Sequence, residues 1–349
     1  PMTSGAVDFG AAAQDRARPR ATLRSRWMLA LLAAVVVALM LLTLSCGNGC
    51  LAPAEVITAL LGQDGASASF VVNDLRLPRV LLSVVAGLSF GLGGVAFQVM
   101  LRNPLASPDI IGISASAGAA AVFAIVILSY DGWIVSAVAV LSGLLVATLI
   151  WALSSHRGAA GARLILIGIG ISAMLDSVTA NVLLEAPAWD RAEALRWLTG
   201  SVNGAQLSTA VPVFAALVVF GGLLAATSRN LEILRLGDDA ASALGVHPDA
   251  TRLRVTLAAV GLVAFATSAA GPIAFVAFLS GPIAVRVLGG SGGLLAGAAL
   301  VGAILVLAGD FTGQFLLPAR LPVGVVTGAV GAPFLLYLIV RANRNGGTI

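Results

Sequence analysis

Ten apolar runs, each of about twenty residues or slightly fewer, alternate with short polar segments along this chain. They fall near 27–45, 79–100, 109–128, 133–152, 164–184, 208–227, 253–270, 273–288, 294–309 and 322–340. A helix rises about 1.5 Å per residue, so runs of this length match the hydrocarbon core of a bilayer, about 30 Å thick. The pattern predicts an all-α, polytopic membrane protein with ten transmembrane helices. Residues 1–26 read as a polar arm, disordered or surface-lying, residues 27–341 as one membrane domain, and 342–349 as a short tail. Two connections stand out from the rest. The segment 46–75 carries a short amphipathic piece around 53–61, and 228–251 is the longest loop on its side.

Composition agrees with that class. The 349 residues are 59% hydrophobic and 10% charged, with a mean hydropathy of +1.01, too apolar for a soluble protein of this size. Forty glycines, mostly inside the apolar runs, suit close helix packing in lipid. All twenty cations are arginine. Under the ten-span topology only Arg76, Arg79, Arg191, Arg196 and Arg320 fall outside, and the other fifteen fall inside, which predicts two cytoplasmic termini. The high pI is therefore topological. No basic patch interleaved with aromatics suggests a nucleic-acid partner.

The chemistry of an enzyme is missing from the pattern. The sequence contains no phosphate-binding glycine loop, no HExxH, no GxSxG and no paired carboxylates, so no catalytic site of its own is expected. His156 and His247 lack ligand-spaced partners, and no metal site is expected. Cys46 and Cys50 flank Gly47-Asn48-Gly49 after the first apolar run; a small disulfide and two unpaired thiols are both open readings.

Three stretches carry more specific signals. In Arg76-Leu77-Pro78-Arg79, Pro78 suits the first turn of a helix, but the two arginines sit at its N-terminus. The macrodipole disfavours cations there by roughly 0.3–1 kcal/mol, and the outer face is the wrong side for them. An acidic partner would offset both penalties; Asp74 or lipid phosphates are the local alternatives. Next, Asn103, Pro104, Ser107, Pro108 and Asp109 predict a tight polar turn, with Ser107 capping the following helix, Pro108 in its first position and Asp109 facing the dipole. Beyond it Gly112, Ala115, Ser116 and Ala119 form a face of small residues. In the long inner loop, Asp238 and Asp239 start a short helix and Gly245 stops it. Its apolar face of Ala240, Ala243 and Leu244 needs either a soluble partner or the inner leaflet to cover it.

Within the membrane, Asp176 is the clear acid, and an acid at mid-depth costs roughly 2.5–3.5 kcal/mol. Ser172, Ser177, Thr179 and Asn181 share its span, which suits a water-filled path; a helix–helix hydrogen bond is the equal alternative. Gln98 and Thr327 are weaker lining candidates. Toward the end of the chain, Gly271-Pro272 breaks one span, and Gly324, Gly328 and Gly331 open a groove in the last.

The runs RLPR, GLGGVAFQVMLRNPLASPDIIGISASAGA, LGDDAASALGV, GPIAF and LPVGVVTGAVGAPF resemble the FecCD family of permeases over about residues 30–341. The resemblance implies the membrane subunit of a binding-protein-dependent ABC importer in a bacterial plasma membrane, carrying a ferric siderophore, with cobalamin or haem as alternatives. It implies that Arg76 and Arg79 meet glutamates of a substrate-binding protein. It also implies that Leu236, Gly237, Ala240, Leu244 and Gly245 contact an ABC ATPase dimer, which holds the ATP and magnesium. Spans 5 and 10 would line the path. Gly281-Pro282, Gln314 and Arg320 depart from the family pattern. The first two favour a heterodimer with a second FecCD-type permease, a homodimer being the alternative. An ion-coupled secondary transporter using Asp176 is the rival class.

Overall fold

In the computed structural model, residues 9–47, 49–62, 69–108, 112–154, 160–289 and 293–344 are described. Asp109, His156 and the ends of the arm and tail lie outside them. The described residues are helical, with no β-strand. Seven helices are long and apolar enough to cross a membrane, and three shorter apolar helices, Ile113–Val126, Val276–Leu288 and Val323–Leu338, occupy the other apolar runs.

The elements in order are α1 (Phe9–Ser45), α2 (Pro53–Leu60), α3 (Leu77–Met100), α4 (Ile113–Val126), α5 (Gly132–Ser154), α6 (Ala160–Glu185) and α7 (Ala188–Thr199). They continue with α8 (Leu207–Leu234), α9 (Asp238–Ala243), α10 (Pro248–Ala270), α11 (Val276–Leu288), α12 (Leu294–Phe311) and α13 (Val323–Arg344). The arm continues the first helix back to Phe9; its alanines and arginines are strong helix formers. Between α6 and α8 the chain forms a further helix, α7, outside the ten apolar runs.

The centre of the bundle is α3, of whose 24 residues 17 are buried. It packs against α8, α10, α11 and α12. Close approach is what places glycine in its sequence. A Cβ on Gly91 would land on the Ala298 carbonyl of α12, and one on Gly94 on the Ala277 carbonyl of α11. Backbones this near gain dispersion contacts that lipid alone does not supply. Phe90 and Phe97 fill the core beside Leu262, Ile150 and Leu231. A smaller cluster of Val36, Leu44, Val56, Val80 and Leu307 holds α1 and α2 to the same helix.

Two helices start at left-handed residues. Among the described residues α4 begins at Ile113 with Gly112 at φ +89° as its N-cap, and the start expected at Ser107-Pro108-Asp109 runs into residues outside them. Gly112 lies against α6, where an added Cβ would come within 2.8 Å of Ser172 Oγ. The turn before it is built by Asn103, whose Oδ1 accepts from the Leu105 amide at 2.9 Å. Arg102 precedes it in the left-handed region at φ +51°. The second such start is α11, where Phe275 takes φ +64° and stacks edge-on with Phe278.

The break at Gly271-Pro272 forms as the proline predicts. Gly271 and Gly200 both have φ +70° and lie against each other. The Ser201 amide donates to the Ala270 carbonyl at 2.7 Å, and the Gly324 amide to the Gly200 carbonyl at 3.1 Å. The chain after α7, the end of α10 and the start of α13 therefore meet in one backbone junction. The groove expected along α13 is filled: Gly324 faces Thr199 and Gly200, and Gly331 receives the Phe275 ring.

Candidate functional site

Three surfaces of the bundle carry the sequence candidates. At the start of α3, the Arg79 guanidinium forms a two-pronged ion pair with Asp310 of α12, Nε to Oδ2 and Nη2 to Oδ1, each 2.7 Å. The Asp310 side chain is only 3% exposed and that of Arg79 15%. The acid that offsets the penalties at this helix start is thus Asp310, not Asp74. Arg76 is held differently, by the carbonyls of Leu44 and Ser45 at 2.7 and 2.9 Å and of Gly49 at 3.0 Å. Two π-helical turns, Val71–Arg76 and Thr312–Leu316, flank the pair. Such turns recur at functional places in helices. Above the pair opens a cavity of about 370 Å³ lined by Arg76, Arg79, Asn203, Gln314 and Arg320.

At the other end of α3 lies the segment around α9. Asp238 stands in its first turn and accepts from Arg102 at 2.8 Å and from Arg252 of α10 at 2.8 Å. Arg102 also donates to the Leu234 carbonyl at the end of α8, at 3.0 Å. One carboxylate therefore ties α9 to the ends of α3 and α10. Ala241 and Val246 pack inward on Leu234. Leu236 and Leu244 face out, 68% and 61% exposed, with Gly237 and Gly245 at φ +115° and +79° on either side of the helix and Ala240 half-buried. At this same end Arg286 of α11 lies over the rings of Phe334 and Tyr337 of α13, 5.6 and 5.4 Å from their centroids.

The third surface is α6, which the chain barely covers. Leu166, Met174, Val178 and Leu184 are all exposed, and so is Asp176. Asp176 sits nine residues before the helix end, about 14 Å along the axis. With Thr179, Ser114 and Leu198 it lines a cavity of about 350 Å³ between α6, α4 and α7. Thr179 donates to the Leu175 carbonyl and Ser172 to that of Gly168, both at 2.8 Å.

Two lining candidates are elsewhere. Gln98 is buried between α3 and α11, its Nε2 donating to the Phe278 carbonyl at 2.9 Å. Its other amide atom occupies the space a Cβ at Gly281 would need, so that departure from the family pattern has a cause inside the chain. Thr327 is likewise buried and bonds the carbonyls of Val323 and Gly324. Both side chains are buried on backbone partners within the bundle, as polar groups in a helix interior tend to be. Sequence reasoning missed Asp310, Asn203 and the pair Arg102–Arg252. Asp310 had a visible signal as an acid at the end of an apolar run.

A model of the FecCD transport family matches residues 33–341. The chain is 38% identical to the ferric enterobactin transport system permease protein FepG of Escherichia coli K12, over 83% of this chain and 88% of that protein. It is 36% identical to the achromobactin transport system permease protein CbrC of Dickeya dadantii, over 89% and 90%. A solved structure of a metal-chelate type ABC transporter in an inward-facing conformation superposes with a TM-score of 0.80 at 24% identity, over 90% of this chain and 99% of that one.

Proposed function

Because the chain belongs to the FecCD transport family, we propose that it is the membrane permease subunit of an ABC importer for a ferric siderophore. The observation that carries the mechanism is the exposure of Asp176 on a helix its own chain leaves bare. Against lipid, an ionised acid at that depth would cost about 2.5–3.5 kcal/mol. Against a second permease chain with water between, the cost is relieved and the polar edge of α6 becomes one wall of a shared path. The cavity at Asp176 and Thr179 is the part of that wall this chain supplies. We take all ten apolar helices as crossing the membrane, with both termini cytoplasmic, which puts α9 in the cytoplasm and the Arg79–Asp310 pair outside.

On this reading Leu236 and Leu244 meet an ATPase dimer that binds ATP and magnesium, and Asp238 passes its movement to α3 and α10. A substrate-binding protein docks over the arginine-lined cavity. There Arg79 acts through its pair with Asp310, which fixes the helix start, while Arg76 and Arg320 border the open space. Gly281 has its cause in Gln98, and Gln314 bonds the Leu321 carbonyl at 3.4 Å. Neither departure then bears on whether the second permease is identical to the first.

Asp176→Leu is expected to reduce uptake of iron chelates into membrane vesicles several-fold while the complex still assembles and hydrolyses ATP. Uptake at the wild-type rate in that variant would remove Asp176 from the path.

A further inference from the structure

The short loop after α1 is built around a guanidinium. Cys46 and Cys50 face each other in an isolated antiparallel bridge, and the Cys50 thiol donates to Cys46 Sγ at 3.1 Å. The Leu51 amide closes the loop onto the Ser45 carbonyl at 2.9 Å. Arg76 enters from the side and bonds carbonyls on both limbs, Leu44 and Ser45 before the cysteines and Gly49 between them. Gly47 lies flat on the guanidinium, where a Cβ would come within 2.5 Å of Nη2.

We propose that Cys46 and Cys50 are a modification site, oxidised to a disulfide that locks this loop around Arg76. The proposal rests on the reading that this end of the bundle faces away from the cytoplasm, where disulfides persist. Directly opposed antiparallel residues have Cα atoms about 4.5–5.5 Å apart, within the range of about 4.4–6.8 Å that a disulfide spans. The backbone is therefore already in place. The hydrogen bond shared with Cys50, aided by burial, pushes the Cys46 thiol above its ordinary range. Exposed Cys50 is the sulfur that meets an oxidant first.

The oxidant is the disulfide of an extracytoplasmic protein or small thiol compound. The Cys50 thiolate attacks one of its sulfurs and expels the other as a thiolate. The Cys46 thiolate then attacks Cys50 Sγ and expels the second. Two electrons and, in balance, two protons pass to the oxidant, which leaves as two thiols. With the disulfide formed, the three carbonyls stay on Arg76. With the thiols free, only the hydrogen bond between them closes the loop on those carbonyls; the covalent link makes the grip harder to open, so Arg76 reaches the cavity it borders with Arg79 and Arg320 less often.

The test begins with intact cells treated with a membrane-permeant maleimide, after which the full complex is purified, reduced and labelled with a second, heavier alkylating reagent. Both cysteines are expected to carry only the second label, and the unreduced peptide to be about 2 Da lighter than the dithiol. The first label on both would overturn the disulfide. A membrane-impermeant reductant and maleimide on intact cells should then label both; labelling only after lysis would overturn the orientation and the proposal together. Mapping phenylglyoxal adducts on the purified complex reads the cage. Arg76 modification is expected to rise several-fold on reduction, and equal modification in both states would remove its link to the disulfide.

Discussion

Replacing Arg79 with alanine is expected to destabilise the protein by about 3–5 kcal/mol, the cost of leaving a buried charge without its partner. Asp310 is 3% exposed and keeps both oxygens on Arg79. The pair also spans the chain, joining the first turn of α3 to the last turn of α12, across 231 residues of sequence. Its loss loosens that end of the central helix. Arg79→Lys keeps the charge but loses the fork that matches a carboxylate at two points, and should fall between. Arg79→Met combined with Asp310→Leu removes both charges and should recover most of the stability. Thermal unfolding of the detergent-purified complex reads all three. An Arg79→Ala protein that melts with the wild type would show that the pair contributes little. A docking defect in an Arg79 variant is therefore read against its stability before it is assigned to lost contact with a binding protein.

Placing aspartate at both Leu236 and Leu244 is expected to abolish association with the ATPase. Burying a leucine is worth about 1.5–3 kcal/mol; two such contacts make a change on the order of a hundredfold or more in affinity. The fold should survive, because α9 is anchored by Ala241 and Val246 on its other face and by Asp238 through Arg102 and Arg252. Titrating the purified ATP-binding subunit against the detergent-solubilised variant measures the loss. Undiminished affinity would return α9 to the alternative of lying on the inner leaflet.

What was legible in the sequence was local. Apolar run length located the ten apolar helices, and Gly271-Pro272 marked the break between α10 and α11, because span length and proline sterics depend on neighbouring residues alone. The acids and glycine around α9 likewise encode a short helix with an outward apolar face. The partners were not legible. Arg79 and Asp310, Gln98 and Phe278, and Arg76 and the carbonyls of α1 meet only after the helices pack. Phe275 at positive φ is a conformation its residue type does not announce, and it decides what fills the space at Gly331. Gly112 at φ +89° against α6 was not legible either, because its near neighbour Ser172 comes from a distant part of the chain. For Asp176 the polar neighbours were visible in sequence, while the exposure of its helix emerged only with the fold. The family assignment then decides between an ABC importer and an ion-coupled transporter, which the acid alone left open.

The most direct test of the central claim is the intact mass of the assembly extracted from its own membrane under conditions that hold a reference ABC importer together. The account predicts this chain bound to a second permease chain, identical or related, and to two ATP-binding subunits. The chain alone, or self-oligomers without any ATP-binding subunit, would contradict it.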